Sequence, residues 1–383
     1  MMDRRTFLVT ASAGIAAPAL AQSLPEPIRS LRPMTDGVKP ITEGERAARI
    51  EKARRLMREN KIDAIVCEPG ASAFYYTGVR RTNGSGFSVW VLPAKADPVW
   101  AESPARTAEI TGRAGRIGVE EKTRFGTFDA LRQAAPAADF VSADPVTIGC
   151  RVIKSPAEIA LLQRANDITI ACYKAAFACL REGMTNRELS DLIAAAYRNL
   201  GVQGNAMAIF GSYTAFPHGS VQPQKLREGD MVLIDDGCTV DGYQSDITRT
   251  TVFGKPTARQ REIWNLERKA QDAALAAARP GATCESVDAA ARKVITGAGF
   301  GPGYKLPGLP HRTGHGIGLE GHEWTNLVKG NKTRMEPGMC FSDEPTIAIY
   351  GEFGVRLEDC MYITESGARM FTPQSPAIDQ PFG

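Results

Sequence analysis

Histidine is scarce in this chain: there are four in 383 residues, at His218, His311, His315 and His322. Three fall within twelve positions, in PHRTGHGIGLEGHE (310–323), and the fourth sits in FPHG (216–219). Other features are missing too. No segment reaches the roughly 18 consecutive apolar residues that a membrane-spanning helix needs. Neither sign of charge dominates: 46 Lys and Arg against 43 Asp and Glu leave a formal +3. That balance excludes bulk electrostatic binding to nucleic acid or an anionic membrane surface. The eight cysteines (67, 150, 172, 179, 238, 284, 340 and 360) contain no C-x-x-C pair, which argues against a thiolate zinc site. An oxidising compartment would let some of them pair. Cys67 in DAIVCE and Cys340 in GMCFSDE instead lie in apolar, strand-like runs and read as small buried hydrophobes.

The first 23 residues set the expected compartment. They contain Arg4-Arg5, then Phe7-Leu8, an Ala-rich apolar stretch and Ala19-Leu20-Ala21. A paired arginine in register with an A-x-A site reads as a twin-arginine export signal cut after Ala21, which predicts a periplasmic protein with no membrane association after cleavage. Removing residues 1–21 takes away two positive charges and one negative, so the formal +3 becomes +2. The chain that remains is long enough for two domains.

The first of these reads as an α/β module. Helical periodicity covers Glu45 to Asn60 and Thr127 to Ala135. Strand-like runs occur at Asp63 to Cys67, Phe87 to Leu92, Pro98 to Ala101, Gly118 to Glu120 and Asp139 to Ser142. No catalytic grouping occurs here, so a lid or oligomerisation role is expected ahead of independent binding, and with it a homodimer or higher homo-oligomer. Trp90, Phe74 and Tyr75 are the aromatic candidates for closing a pocket. The boundary is expected near Cys150 to Ser155. There Ser155 as N-cap, Pro156 at the first helical position and Glu158 in the first turn start a long helix to about Leu180.

The chemistry lies beyond that helix. From Met231 to Thr250 two apolar-rich strands flank Asp241-Gly242, a turn dipeptide. Folding there brings Asp235 and Asp246, eleven apart in sequence, nearly opposite each other. Two carboxylates so close repel unless a cation neutralises them. Strand alternation turns Asp236 to the other face. Further on, Gly314, Gly316 and Gly318 surround His315, and glycine lets a backbone approach a ligand or second strand closely. Strict strand period would put His311 on the same side as His315 and His322 on the other. PGMCFSDEP (337–345) delivers Glu344 at the end of an apolar strand, and GVRLED (354–359) puts Arg356 and Glu358 on one face. Asp235, Asp246, His315, Glu344 and Glu358 together read as ligands of a pair of metal ions in a hydrolytic site.

FPHG, IDDGCTVDGYQSDITRT, HRTGHGIGLEGHE, PGMCFSDEP and GVRLED occur in an order and spacing that resembles the pita-bread clan of methionine aminopeptidase, aminopeptidase P, prolidase and creatinase. The first half is similar to the creatinase/prolidase N-terminal domain, which places the chain nearer aminopeptidase P and prolidase than methionine aminopeptidase. The resemblance implies an α/β N-terminal creatinase/prolidase-like domain (22–153) plus an α+β pita-bread catalytic domain (154–383) after the signal (1–21). It also implies a dimetal hydrolase that removes the N-terminal residue from peptides with proline in second position through a metal-bridging hydroxide.

Carried over residue by residue, Asp235 would bind one metal and His315 the other. Asp246 and Glu358 would bridge them, and Glu344 would join His315's metal and take up the nucleophile's proton. His218 and His322 would hydrogen-bond the substrate carbonyl and its tetrahedral intermediate. His311 and Arg356 would line the leaving-group side and hold the carboxylate-bearing portion, or support the ligands from behind. Four carboxylates and one imidazole suit manganese, iron(II), cobalt or zinc. Manganese is expected because a twin-arginine substrate resembles proteins that fold before export and can trap a cytoplasmic metal. Thr346 stands where the clan usually has glycine, which bears on substrate preference. The alternatives are an Xaa-Pro dipeptidase, a creatinase-like C–N hydrolase, a metal-dependent lyase and a non-catalytic binding protein. Intact ligands disfavour the metal-free and non-catalytic ones.

Overall fold

The structure is a computed structural model that describes residues 24–84 and 86–382, so the expected export signal lies outside the described residues. Short apolar strands form a sheet in the first half. β1 (Ala64–Cys67), β2 (Val89–Pro93), β3 (Val99–Ala101), β4 (Arg116–Val119) and β5 (Asp139–Ser142) pair in the order β3-β2-β1-β4-β5. β1 runs antiparallel to β2 and parallel to β4, so the sheet is mixed. Its central strands are buried on both faces, as their near-continuous apolar sequence requires. Val66, Val89, Val91, Ile117 and Leu131 form a core on one face. Ile65, Cys67, Trp90 and Leu92 on the other join Ala53 and Met57 of the helix Glu43–Glu59, which begins in a capping box of Thr42 and Glu45.

That second core runs on into the other half of the molecule. It takes in Leu162, Ala165 and Ile168 from the helix Pro156–Phe177, Leu189 and Ile193 from the helix Asn186–Asn199, and Val232 and Ile234. The long helix starts where expected, with Ser155 and Glu158 in a reciprocal capping box. A further core lies under the helices Ala258–Ala277 and Cys284–Gly297 and includes Trp264, Val287, Phe341, Val355 and Met361.

Between the helix pairs the strands are antiparallel. β6 (Gln203–Gly204), β9 (Cys238–Val240) and β10 (Tyr243–Gln244) make one sheet, and β7 (Met207–Phe210), β8 (Met231–Asp236) and β11 (Ile247–Val252) a second. A five-stranded sheet follows in the order β13-β12-β14-β17-β18, from β12 (Gly314–Gly316), β13 (Glu323–Leu327), β14 (Cys340–Asp343), β17 (Asp359–Thr364) and β18 (Gly367–Met370). β15 (Thr346–Ile349) and β16 (Phe353–Arg356) pair separately. Glu344 and Glu358 therefore both lie where the chain leaves one sheet for another.

All eight cysteines are buried free thiols, as packing residues would be. Trp90 stacks on Tyr76 at 4.9 Å, and the Tyr75 hydroxyl donates to the Cys150 carbonyl at 3.0 Å. Both therefore belong to the core and not to a pocket wall. Phe74 packs against the Asp241-Gly242 turn and does not line the acidic residues' cleft.

Candidate metal centre

The aspartate hairpin turns at Asp241 and Gly242 through left-handed backbone, φ 45° and 96°. Register refines the expected pairing: Asp235 sits opposite Thr248, so Asp246 is its diagonal neighbour on the same face. Gly237 is required here, because a Cβ would lie 2.0 Å from the Ser245 carbonyl oxygen. The long helix fixes the same corner. Tyr173 donates to the Asp236 carbonyl at 2.9 Å, and Thr169 and Ser245 hydroxyls lie 2.8 Å apart. Asp236 ends the strand with a positive φ of 131°, and burial, with repulsion from Asp235, pushes its carboxyl up to about 6.

β12 lies flat against β14: a Cβ on Gly314 would come within 2.1 Å of the Ser342 carbonyl oxygen. His315 is buried, and its Nε2 lies 3.1 Å from Glu344 Oε1 and 3.7 Å from Asp246 Oδ2. Carboxylate and imidazole atoms converge within 4.8 Å in three overlapping sets: Asp235, Asp246 and Glu358; His315, Glu344 and Glu358; and Asp246, His315 and His322. Among the described residues no other such set occurs.

His322 corrects the strand-period expectation. Its ring meets that of His315 edge to face at 4.0 Å, because β12 is only three residues long and the chain reverses before β13. His218 and His322 are both exposed at the mouth of a cleft of about 390 Å³ that the acidic residues line. Although the residue is exposed, partial desolvation beside His315 and Arg312 lowers the His322 imidazole to about 4, so it is neutral at neutral pH.

Two expected substrate-holding groups are already engaged. The Arg356 guanidinium pairs with Asp235, donates to Thr248 Oγ1 at 3.0 Å and to the Pro217 carbonyl at 3.0 Å. Thr248 Oγ1 in turn lies 2.7 Å from Asp235 Oδ1 and 2.7 Å from Glu358 Oε2. Arg356 thus orients ligands from behind and is not a free anchor for a substrate carboxylate. His311 Nδ1 lies 2.6 Å from the Arg312 carbonyl, so it carries the proton, and Nε2 accepts from Thr346 Oγ1 at 3.0 Å. The residue that departs from the clan's glycine therefore ties down a pocket imidazole, a contact invisible in the sequence.

Electrostatics shows what the cluster lacks. Burial pushes Asp246 well up, and repulsion from Asp235 and Glu344 adds to it. Burial does the same to Glu358, reinforced by Asp246 and Glu344. Burial also opposes ionisation of Glu344, but the hydrogen bond and charge of His315 hold it down to about 2. Glu358 Oε1 is buried without any hydrogen-bond partner. Four carboxylates, with Arg356 the only guanidinium paired among them, and an orphaned oxygen fit a pair of divalent cations.

Fold and donor set together define a dinuclear metallohydrolase type. Residues 160–365 match metallopeptidase family M24, and residues 49–111 match the creatinase/prolidase N-terminal domain. The chain belongs to family M24. It is 30% identical over 343 residues to the Xaa-Pro dipeptidase of Pyrococcus furiosus, covering 85% of this chain and 97% of that one. Among solved structures, the dipeptidase PepE of Mycobacterium ulcerans superposes with a TM-score of 0.82 at 28% identity, covering 89% of this chain and 99% of that one. X-Pro aminopeptidase from Thermotoga maritima gives 0.75 at 26% identity, covering 86% and 99%. The α/β domain followed by an α+β pita-bread domain is the architecture of these neighbours.

Proposed function

We propose that the protein releases the N-terminal residue from peptides with proline in second position, dipeptides included, in a dimetal site. The carrying observation is the convergence of Asp235, Asp246, His315, Glu344 and Glu358 in one cleft with far too little protein charge to neutralise them. The Xaa-Pro dipeptidases among its relatives support the substrate class. Two divalent cations held there would lower the pKa of water and polarise a peptide carbonyl. Asp235, Asp246, His315, Glu344 and Glu358 would hold them.

The chain's own residues do the rest. Glu344, hydrogen-bonded to His315 inside the cleft, is the carboxylate we assign to take up the nucleophile's proton. Neutral His322, beside His315, can donate a hydrogen bond to the substrate carbonyl oxygen as it gains charge, and His218, 6.5 Å from the His311 ring, lines the same cleft. Arg356 and Thr248 keep Asp235 and Glu358 in register.

Manganese is the proposed metal, and Arg4-Arg5 with Ala19-Leu20-Ala21 supports twin-arginine export to the periplasm of a protein folded and loaded beforehand. Zinc as the dominant metal in protein purified from the periplasm would overturn that route. The function itself is tested with Xaa-Pro dipeptides, Xaa-Pro-Yaa tripeptides, a proline-free peptide and creatine, each with manganese and after chelation. Chelator-sensitive release of the first residue from proline peptides is expected. Chelator-resistant cleavage of creatine, or no cleavage with metal bound, would overturn the reading.

A further inference from the structure

Arg356 is paired with Asp235, and both ring nitrogens of His311 are engaged, so neither is free to receive an anionic part of a substrate. The cleft nevertheless contains a second guanidinium. Arg312 lines it together with Tyr304, His322 and Asn326. Among the described residues its side chain makes no ion pair and no hydrogen bond, although four carboxylates line the same cleft. Asp235 is already paired with Arg356 and Glu344 with His315, and the half-buried Arg312 pairs with none of the four.

The backbone on either side of Arg312 shows what holds it. On one side the guanidinium of Arg292 donates to the His311 carbonyl and, at 3.1 Å, to the Leu309 carbonyl, and is itself paired with Asp288 at 2.8 Å. On the other side Thr313 donates through its backbone N–H to Asp288 Oδ1 at 3.2 Å and through its hydroxyl at 2.8 Å. The Arg312 carbonyl accepts from His311 Nδ1 at 2.6 Å. The base of Arg312 is thus fixed to the helix Cys284–Gly297, while its planar donor fork is left unsatisfied in the cleft. A fork of that kind matches a carboxylate in a two-point hydrogen-bonded pair.

We propose that Arg312 is the receptor for a carboxylate on the substrate, a specificity-determining contact that rests on the peptidase reading above and narrows it. Two sources share this chemistry: the C-terminal carboxylate of a dipeptide, and an acidic side chain on the residue before the scissile bond.

The test compares wild-type, R312K and R312M enzyme on Ala-Pro, Ala-Pro amide, Glu-Pro and Gln-Pro. A C-terminal receptor raises KM for Ala-Pro in R312M by roughly tenfold or more, toward that of the amide, with R312K recovering part of the loss. A side-chain receptor confines that change to Glu-Pro against Gln-Pro. Acid-to-neutral KM ratios within about twofold of wild type for both pairs, in R312M that still cleaves, would overturn the proposal and leave the peptidase reading standing. Calorimetric binding of proline against prolinamide, and of glutamate against glutamine, to metal-loaded wild-type and R312M protein reads the same contact without turnover. Equal losses for acid and neutral ligands would again overturn it, and would do so even if no peptide were cleaved.

Discussion

Two clusters of charge are buried next to each other in this protein, meeting where His322 is followed by Glu323, and they are opposite in balance. At the seam between the two halves, Glu323 is paired with Arg151 and with Lys154 at 2.8 Å, and Glu320 with Arg151 at 2.8 Å and Lys122 at 2.8 Å. Glu320 and Glu323 each have a protein base there. In the cleft, Asp235, Asp246, Glu344 and Glu358 share one paired guanidinium, Arg356. Balanced buried charge holds the halves in register, whereas unbalanced buried charge is tolerated only where something from outside completes it.

The contrast has a pH signature of opposite sign. Burial opposes ionisation of Glu323, but Lys154 and Arg151 hold its carboxyl down to about 2. Its stabilisation is fully present above the ordinary glutamate value of 4.5 and is lost as pH falls through about 2. Glu358 and Asp246 are raised instead, so in metal-free protein their contribution is present below the ordinary 4.5 and 3.8 and is lost as pH rises through their higher folded values. Chelated protein should therefore lose stability from weak acid toward neutrality, and bound metal should abolish that slope. Thermal unfolding across pH, with and without chelator, checks this; identical profiles would contradict it.

Substitutions sharpen the comparison, the largest effect first. Asp246→Ala removes a carboxylate shared by two of the three converging sets and should cost more than the roughly 10–100-fold in metal affinity typical of a supporting partner, and should end chelator-sensitive hydrolysis. Lys154→Met strips a partner from the buried Glu323 and should destabilise the fold by about 3–5 kcal/mol whatever the metal content, as urea unfolding would report. Arg356→Lys keeps the charge but loses the fork that serves Asp235, Thr248 and Pro217. Metal titration should show about 10–100-fold weaker binding. Thr346→Val removes the hydroxyl that His311 accepts from. It should shift KM by roughly the worth of one hydrogen bond, about 1 kcal/mol, with kcat little changed.

The converging acids and His315 were legible in the sequence because each lies in or beside a short strand motif whose period, turn or glycine fixes its direction. Asp235 and Asp246 follow from the fold-back at Asp241-Gly242, Glu344 from a strand end, Glu358 from alternation with Arg356, and His315 from its glycines. The sheet of the first half was legible for the same reason, since β5 spans Asp139–Ser142 as read and β1 begins one residue later than read. What escaped was contact between distant segments. Nothing local says that Arg356 reaches Asp235, that Thr346 reaches His311, or that Glu323 is met by Arg151 and Lys154 from across the seam. His322 was misdirected because a hairpin, not a continuous strand, separates it from His315. The short helices Ala71–Thr77, Pro104–Thr111 and Asp144–Arg151 carry too few turns for periodicity to show.

The central claim is that the cleft's carboxylates repel one another until metal joins them. The direct measurement is the thermal midpoint of Asp246→Asn beside wild type, each chelated and each loaded with manganese. The account predicts that the substitution raises the midpoint of chelated protein, by removing one uncompensated charge, and erases most of the gain on adding metal. A lower midpoint in chelated Asp246→Asn, with the metal-induced gain intact, would contradict it.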